Sequence, residues 1–266
     1  MGRYSGIILL SDMDGTLLNS QGIISEENKK AIQKLVEGGG KFGIATGRNL
    51  SNAQRFLKDI PLNGYCIFAN GSLLYDYTKE QYIKECNLKK DNLVHFLKKC
   101  LKEKEQITIQ IYTRDMCHIV SKNEYVKERE RKNHAPITFT SLENMLHKEW
   151  IKILFSGSKE DMKWLEEHSE YLEQEKEVHR VHSSDIYYEF LPFDANKGTM
   201  VSYLKQELKD GMKLYAVGDY YNDIEMLQSA DVGIAMGNAP EDVKKYADMV
   251  CPNCDQDGIA YIISHM

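Results

Sequence analysis

The spacing of apolar positions changes character along the chain, and each change predicts a different element. Ile7-Ile8-Leu9-Leu10 is an unbroken apolar run, the pattern of a strand covered on both faces. Ser25 then stands as an N-cap with Asn28 at the third helical position. Ala31, Ile32, Leu35 and Val36 follow at helical spacing until Gly38-Gly39-Gly40 ends the helix. A second strand is predicted over 42–45, a helix over 50–57 and a third strand over 65–69. This β-α-β-α-β rhythm implies a parallel sheet with right-handed crossovers. The tail resumes it, with strands at 214–218 and 232–235, helices at 223–229 and 240–246, and Met249-Val250 last.

The middle follows another rule. From about 83 to 185 the chain is rich in Lys and Glu, with helical patterns at 91–104, 123–132 and 159–175. Segments 107–112 and 150–155 alternate between apolar and polar residues, which predicts half-exposed antiparallel strands. The expected organisation is a doubly wound parallel-sheet (Rossmann-like) α/β core over 1–82 and 186–266. An α+β domain is inserted over 83–185.

Composition narrows the classes. A chain of 266 residues with 42% hydrophobic residues can bury a core without disulfides, and it is neither collagen-like nor disordered. The net charge is −6, and the middle stretch carries 19 residues of each sign, so the whole imbalance falls in the flanking α/β parts. A mildly acidic chain lacks the basic face expected of a nucleic-acid binder. No apolar run approaches the roughly 20 residues that span a bilayer, and the apolar start has no small-residue cleavage pattern. The expectation is a cytoplasmic protein with reduced thiols, bound neither to membrane nor to nucleic acid; its oligomeric state is open. Cys251-Pro252-Asn253-Cys254 has no nearby His or second pair to complete a zinc site, and it reads as a loop rather than a redox motif.

The chemistry gathers at predicted element ends. Asp12-Met13-Asp14-Gly15-Thr16 follows the first strand directly. Ligands of open α/β sheets bind at the carboxyl ends of strands. A turn at Asp14-Gly15 aims both carboxylates into one site, and two acids without a basic neighbour call for a neutralising cation; hard oxygen ligands suit Mg²⁺. Thr46-Gly47-Arg48 ends the second strand, where a hydroxyl and loop amides make an anion cradle. Lys197 follows a predicted strand over 187–191 and opens a helix, a place for a cation facing a phosphate. Asp219 and Asp223, four apart after the strand at 214–218, share one face if the loop runs into a helix. Any one of these alone is an N-cap, a turn or a solvated lysine. Together they mark one site.

These residues resemble the haloacid dehalogenase (HAD) superfamily phosphatases, of the Cof-like type with the larger inserted α/β cap (type C2B). The similarity covers most of the chain. Asp12-Met13-Asp14-Gly15-Thr16-Leu17 resembles the first family motif, Ala45-Thr46-Gly47-Arg48 the second, Lys197-Gly198 the third and Gly218-Asp219-x-x-Asn222-Asp223 the fourth. Asn70-Gly71, Ala235-Met236-Gly237-Asn238-Ala239 and Asp257-Gly258-Ile259-Ala260 agree further. Tyr220 departs from the small residue usual after Gly-Asp, and Cys251 and Cys254 depart from the usual polar turn.

The resemblance implies a phosphoaspartyl mechanism: Asp12 the nucleophile, Asp14 the general acid and base. It implies Mg²⁺ held by Asp12, the main-chain carbonyl of Asp14 and Asp219, with Asn222 and Asp223 supporting the metal shell or the lysine. Thr46, Gly47 and Lys197 would bind the transferring phosphoryl, and Arg48 and Asn70 would contact substrate. In the inserted domain Arg114, His118, Tyr187 and Tyr188 are further candidates for substrate contact, although Tyr187-Tyr188 also reads as packing within its strand. The implied activity is hydrolysis of small phosphorylated metabolites, such as sugar phosphates or the cofactor phosphates FMN and pyridoxal phosphate. A phosphomutase would use the same aspartyl chemistry. A signalling phosphoacceptor would lack the acid at Asp14 and the inserted domain, and a catalytically dead binding module would lack a motif residue, whereas none is missing here.

Overall fold

The computed structural model describes residues 2–121 and 137–266. The helix expected over 123–132 lies outside the described residues. Two compact units divide the chain: Met1–Lys84 with Asn196–Met266, and Glu85–Ala195.

The strands in chain order are β1 (Ile7–Ser11), β2 (Lys41–Ile44), β3 (Tyr65–Phe68), β4 (Leu73–Asp76), β5 (Gln81–Glu85), β6 (Thr108–Tyr112), β7 (Cys117–Ile119), β8 (Ile137–Phe139), β9 (Lys152–Ser156), β10 (Val178–Ser184), β11 (Tyr187–Pro192), β12 (Lys213–Gly218), β13 (Val232–Ala235) and β14 (Met249–Val250).

The first unit holds a parallel sheet in the order β14-β13-β12-β1-β2. A parallel bridge between Ala45 and Ile67 adds β3 beyond β2. The sequential strands β1, β2 and β3 therefore run one way from the centre and β12, β13 and β14 the other. This is the strand order of a doubly wound fold, and its switch point lies between β1 and β12. Ile8, Leu9 and Leu10 are fully buried although successive side chains point to opposite faces, so layers cover the sheet on both sides. The helix Glu26–Glu37 packs on Gly258–Ser264, and Lys197–Glu207 packs on Ile224–Ser229. Ser25 caps the first of these helices, its side chain accepting from the Asn28 N–H. Asn28 in turn is buried and accepts from the Ala260 N–H at 2.9 Å, tying that helix to the last one.

The second unit is a six-stranded sheet in the order β10-β11-β9-β6-β7-β8, antiparallel except between β7 and β8. One face packs against the helices Asp91–Glu103 and Lys159–Gln174. Its centre is the ring cluster of Phe96, Phe155 and Phe190, extended by Trp164.

Two features differ from the sequence reading. The strand at 187–192 pairs with β9 and β10, so it belongs to the second unit, and the boundary falls at 195/196 rather than 186. The alternating strands are not half exposed either. Thr108, Gln110, Lys152 and Glu189 face away from the aromatic core yet are buried, with Lys152 and Glu189 paired at 2.7 Å. Among the described residues no helix is long and apolar enough to cross a membrane.

Candidate active site

The site forms where β1 and β12 end side by side. Ser11 pairs in register with Val217, and the Asp12 N–H donates to the Val217 carbonyl at 2.9 Å, so Asp12 and Asp219 leave adjacent strands together. Glycine is required on both sides. Gly15 has φ +81, and a Cβ there, or at Gly218, would collide with the carboxylate of Asp219 or of Asp223 respectively.

Lys197 follows β11 and opens a helix, as expected, but β11 belongs to the sheet of the second unit. The strand directly before it is therefore not one of the parallel sheet. Lys197 is the first residue of the helix Lys197–Glu207, whose N-cap Asn196 forms a capping box with Thr199. From there its fully buried Nζ donates to Asp12 Oδ1 and to Asp223 Oδ1, both at 2.6 Å. The other oxygen of Asp223 accepts from the main-chain N–H groups of Asp219 and Tyr220, each at 3.0 Å. Both Asp223 oxygens are thereby engaged. It accepts three hydrogen bonds and holds the lysine and the loop, whereas Asp219 accepts two and Asp12 one from the lysine, so these two carboxylates keep more capacity for a further partner.

Asp12, Asp219 and Asp223 each offer an oxygen within 4.8 Å of one another, and this is the only such acidic, His or Cys cluster of three among the described residues. Burial raises the Asp12 carboxyl to about 8; Asp223 and Asp219 push the same way, and Lys197 opposes them. Burial likewise raises Asp219 to about 6, with the Asp223 charge adding and the Thr16 hydroxyl bond opposing. Lys197 sits above its ordinary value: burial works against its charge, but Asp12 and Asp223 outweigh it. One buried cation among three carboxylates leaves negative charge uncompensated. Carboxylate oxygens so placed fit a hard divalent ion such as Mg²⁺.

Around this centre stand the remaining sequence candidates. Thr46 is buried, and its hydroxyl accepts from the Arg48 N–H at 3.2 Å, which shapes the Thr46-Gly47-Arg48 turn. Ala69, Asn70 and Gly71 all have positive φ, a tight turn directly after β3. The turn carries Asn70 beside Gly47 and lets its Oδ1 accept from Asn222 Nδ2 at 3.1 Å. Asn222 thus joins two loops of the rim. Asp14 is half exposed and receives a two-pronged bond from Arg48, 2.8 Å from Nε and 2.7 Å from Nη2. Arg48 also lies over the Phe56 ring at 4.6 Å. The structure therefore gives Arg48 a partner within the protein.

Two residues without an assigned role belong here. Thr16 donates its hydroxyl to Asp219 Oδ1 at 2.7 Å, and Asn238 donates to the other oxygen, Oδ2, at 3.3 Å. Both lie inside quoted motifs, but no spacing rule links either one to Asp219. Tyr220 is 52% exposed, its ring edge-on to Tyr221 at 5.0 Å. Cys251 and Cys254 are buried and unpaired, with Cys251 Sγ 3.3 Å from Met236 Sδ. In the second unit Tyr188 and His118 are almost fully buried, Tyr188 within the aromatic core, while Arg114 is half exposed near Glu85 and Asp115.

Comparison with known proteins agrees with this geometry. The model of the haloacid dehalogenase-like hydrolase family matches residues 9–263. The 5-amino-6-(5-phospho-D-ribitylamino)uracil phosphatase YcsE of Bacillus subtilis is 30% identical over 259 residues, covering 97% of this chain and 94% of its own. A haloacid dehalogenase-like hydrolase from Bacteroides thetaiotaomicron superposes with a TM-score of 0.85 at 25% identity, covering 99% of both chains. The HAD subclass IIB sugar phosphatase BT4131 does so at 0.78 and 25%, over 97% of this chain and 98% of its own. The chain belongs to the haloacid dehalogenase-like hydrolases, as one of their Cof-like phosphatases.

Proposed function

We propose that this protein is a Mg²⁺-dependent phosphatase that hydrolyses small phosphorylated metabolites through an aspartyl phosphate on Asp12. The observation that carries this reading is the buried Lys197 held 2.6 Å from both Asp12 and Asp223, with Asp219 beside them. The lysine fixes Asp12 at the end of β1 and presents positive charge where phosphoryl oxygens gather negative charge.

In the first step an Asp12 oxygen attacks phosphorus, the bond from phosphorus to the ester oxygen breaks, and Asp14 gives that oxygen its proton. In the second, water attacks the acyl phosphate, Asp14 takes the water proton, and Asp12 leaves as a free carboxylate with inorganic phosphate. Asp14 bound to Arg48 is not a proton donor, so the pair opens during turnover and frees the guanidinium for an anionic oxygen of the substrate. Thr46 and the Gly47 amide cradle the transferring group. Asp12, the Asp14 carbonyl and Asp219 would hold the metal, with Asn222 and Asp223 behind them. When bound, the ion supplies a countercharge that lets Asp12 approach a phosphate dianion.

The substrate reading is a sugar phosphate or a cofactor phosphate such as FMN or pyridoxal phosphate. The relative named for a phosphoribitylamino-uracil adds that compound to the panel. The second unit, residues 85–195, would set the choice among them, and the enzyme would work in the cytoplasm.

The test is phosphate release from this panel by the wild-type protein and by Asp12→Asn, with and without a chelator. We expect Asp12→Asn to fold but to lose on the order of 10³-fold or more in kcat. EDTA should silence the wild type until Mg²⁺ is restored. Activity retained by Asp12→Asn would remove the nucleophile assignment. A strict requirement for an added bisphosphate would make the enzyme a mutase instead.

A further inference from the structure

Asn238 makes three hydrogen bonds to three separate stretches of chain. Its Nδ2 donates to the Gly15 carbonyl at 2.8 Å and to Asp219 Oδ2 at 3.3 Å, and its Oδ1 accepts from the Cys254 N–H at 3.0 Å. An amide nitrogen facing two acceptors and an amide oxygen facing a donor leave one orientation for the group. Asp219 is consequently gripped on both oxygens, by Thr16 on one and Asn238 on the other.

The same side chain fastens two loops. The segment that carries Cys254 is tied to the loop after Asp14 at two further points: the Ser20 N–H donates to Asp255 at 2.9 Å, and the Ser25 hydroxyl donates to Asp257 at 2.5 Å. Asn238 adds a third tie to this clasp, beside the Asp219 carboxylate.

We propose that Asn238 is a positioning residue that sets the orientation of the Asp219 carboxylate and of the Gly15 turn for metal binding. The inference rests on the reading of Asp12 and Asp219 as Mg²⁺ ligands. A carboxylate free to rotate loses orientation when it binds an ion, whereas one held by two neutral donors is already set. Neutral donors also leave the carboxylate its full charge, which a lysine at the same place would cancel.

The experiment compares the intact wild-type protein with Asn238→Ala and with Asn238→Leu, which keeps the side chain's approximate bulk and drops its polar atoms. Melting midpoints are measured in EDTA and across a Mg²⁺ titration, and the Mg²⁺ dependence of kcat and KM is measured beside them. The expected result is similar melting in EDTA and a Mg²⁺ requirement raised roughly 10–100-fold in both assays. KM for the phosphate ester at saturating Mg²⁺ should stay unchanged, a separation that a general loss of structure would not give. Mg²⁺ titrations that overlay those of the wild type overturn the proposal. So does failure of both variants to fold, since Asn238 would then support the fold rather than a ligand. A wild-type protein indifferent to Mg²⁺ overturns the metal reading itself, which is a different outcome.

Discussion

Lys197 puts one positive charge against two carboxylates 2.6 Å away, with its own side chain fully buried. Removing one partner of a buried ion pair costs about 3–5 kcal/mol, because the charge left behind has neither solvent nor counterion. Lys197→Met fills similar space without charge. It should destabilise the protein by about that amount in urea unfolding and abolish turnover. A stability within about 1 kcal/mol of the wild type would mean that Asp12 and Asp223 find other compensation. Residue identities at this centre were legible in the sequence, because acids, a hydroxyl and a lysine cluster in short motifs. Their partners were not. Asp14 and Arg48 are 34 positions apart and Thr16 and Asp219 are 203 apart, and no local pattern states such a pairing.

Elements were legible where a single face or cap decides them. The Ser25 cap and the apolar stripe behind it predicted the helix at Glu26–Glu37 from local chemistry alone. The strand at 187–192 shows the limit: its residues specify a strand, but which sheet accepts it depends on partners at 152–156 and 178–184. The hairpin of β4 and β5 was missed for the same reason, since short strands draw their stability from neighbours rather than from propensity.

The helix Lys159–Gln174 offers a test at this scale. Ser158 and Asp161 form a capping box, and Asp161 also accepts from Gln106 at 2.6 Å. Burial disfavours the Asp161 charge, but the Ser158 main-chain and hydroxyl donors, the Gln106 amide and Lys104 outweigh it and hold the carboxyl below its ordinary value. A carboxyl lowered in the folded state contributes stability above its unfolded value near pH 4, and that contribution fades as pH falls through the lowered value. Asp161→Asn should therefore cost about 1 kcal/mol at pH 7, with the gap to the wild type narrowing at acid pH, below about 4. Unfolding in urea at neutral and at acid pH measures it, and a gap independent of pH would assign the effect to shape alone.

At the scale of the molecule, the strand order places Asp12 and Asp219 at the switch point between β1 and β12, where a doubly wound sheet opens a crevice. With the boundary at 195/196 the second unit gains Glu189 and Asp194 and loses Lys84, so the acidic excess read from the sequence divides evenly, 16 basic against 19 acidic residues in the first unit and 18 against 21 in the second, and the carboxylate cluster is part of the first unit's share. Each unit has a core of its own, and the two tryptophans, Trp150 and Trp164, both lie in the second. Tryptophan fluorescence thus reports the second unit, while backbone circular dichroism reports both. An ion bound by the native carboxylates at 100 times its dissociation constant stabilises the unit that binds it by about 2.7 kcal/mol. Units with separate cores need not share that gain. Saturating Mg²⁺ should move a circular-dichroism transition to higher temperature and leave the fluorescence transition in place. If both move together, the units unfold as one cooperative body, and stabilisation at the carboxylates then reaches a core that holds none of them.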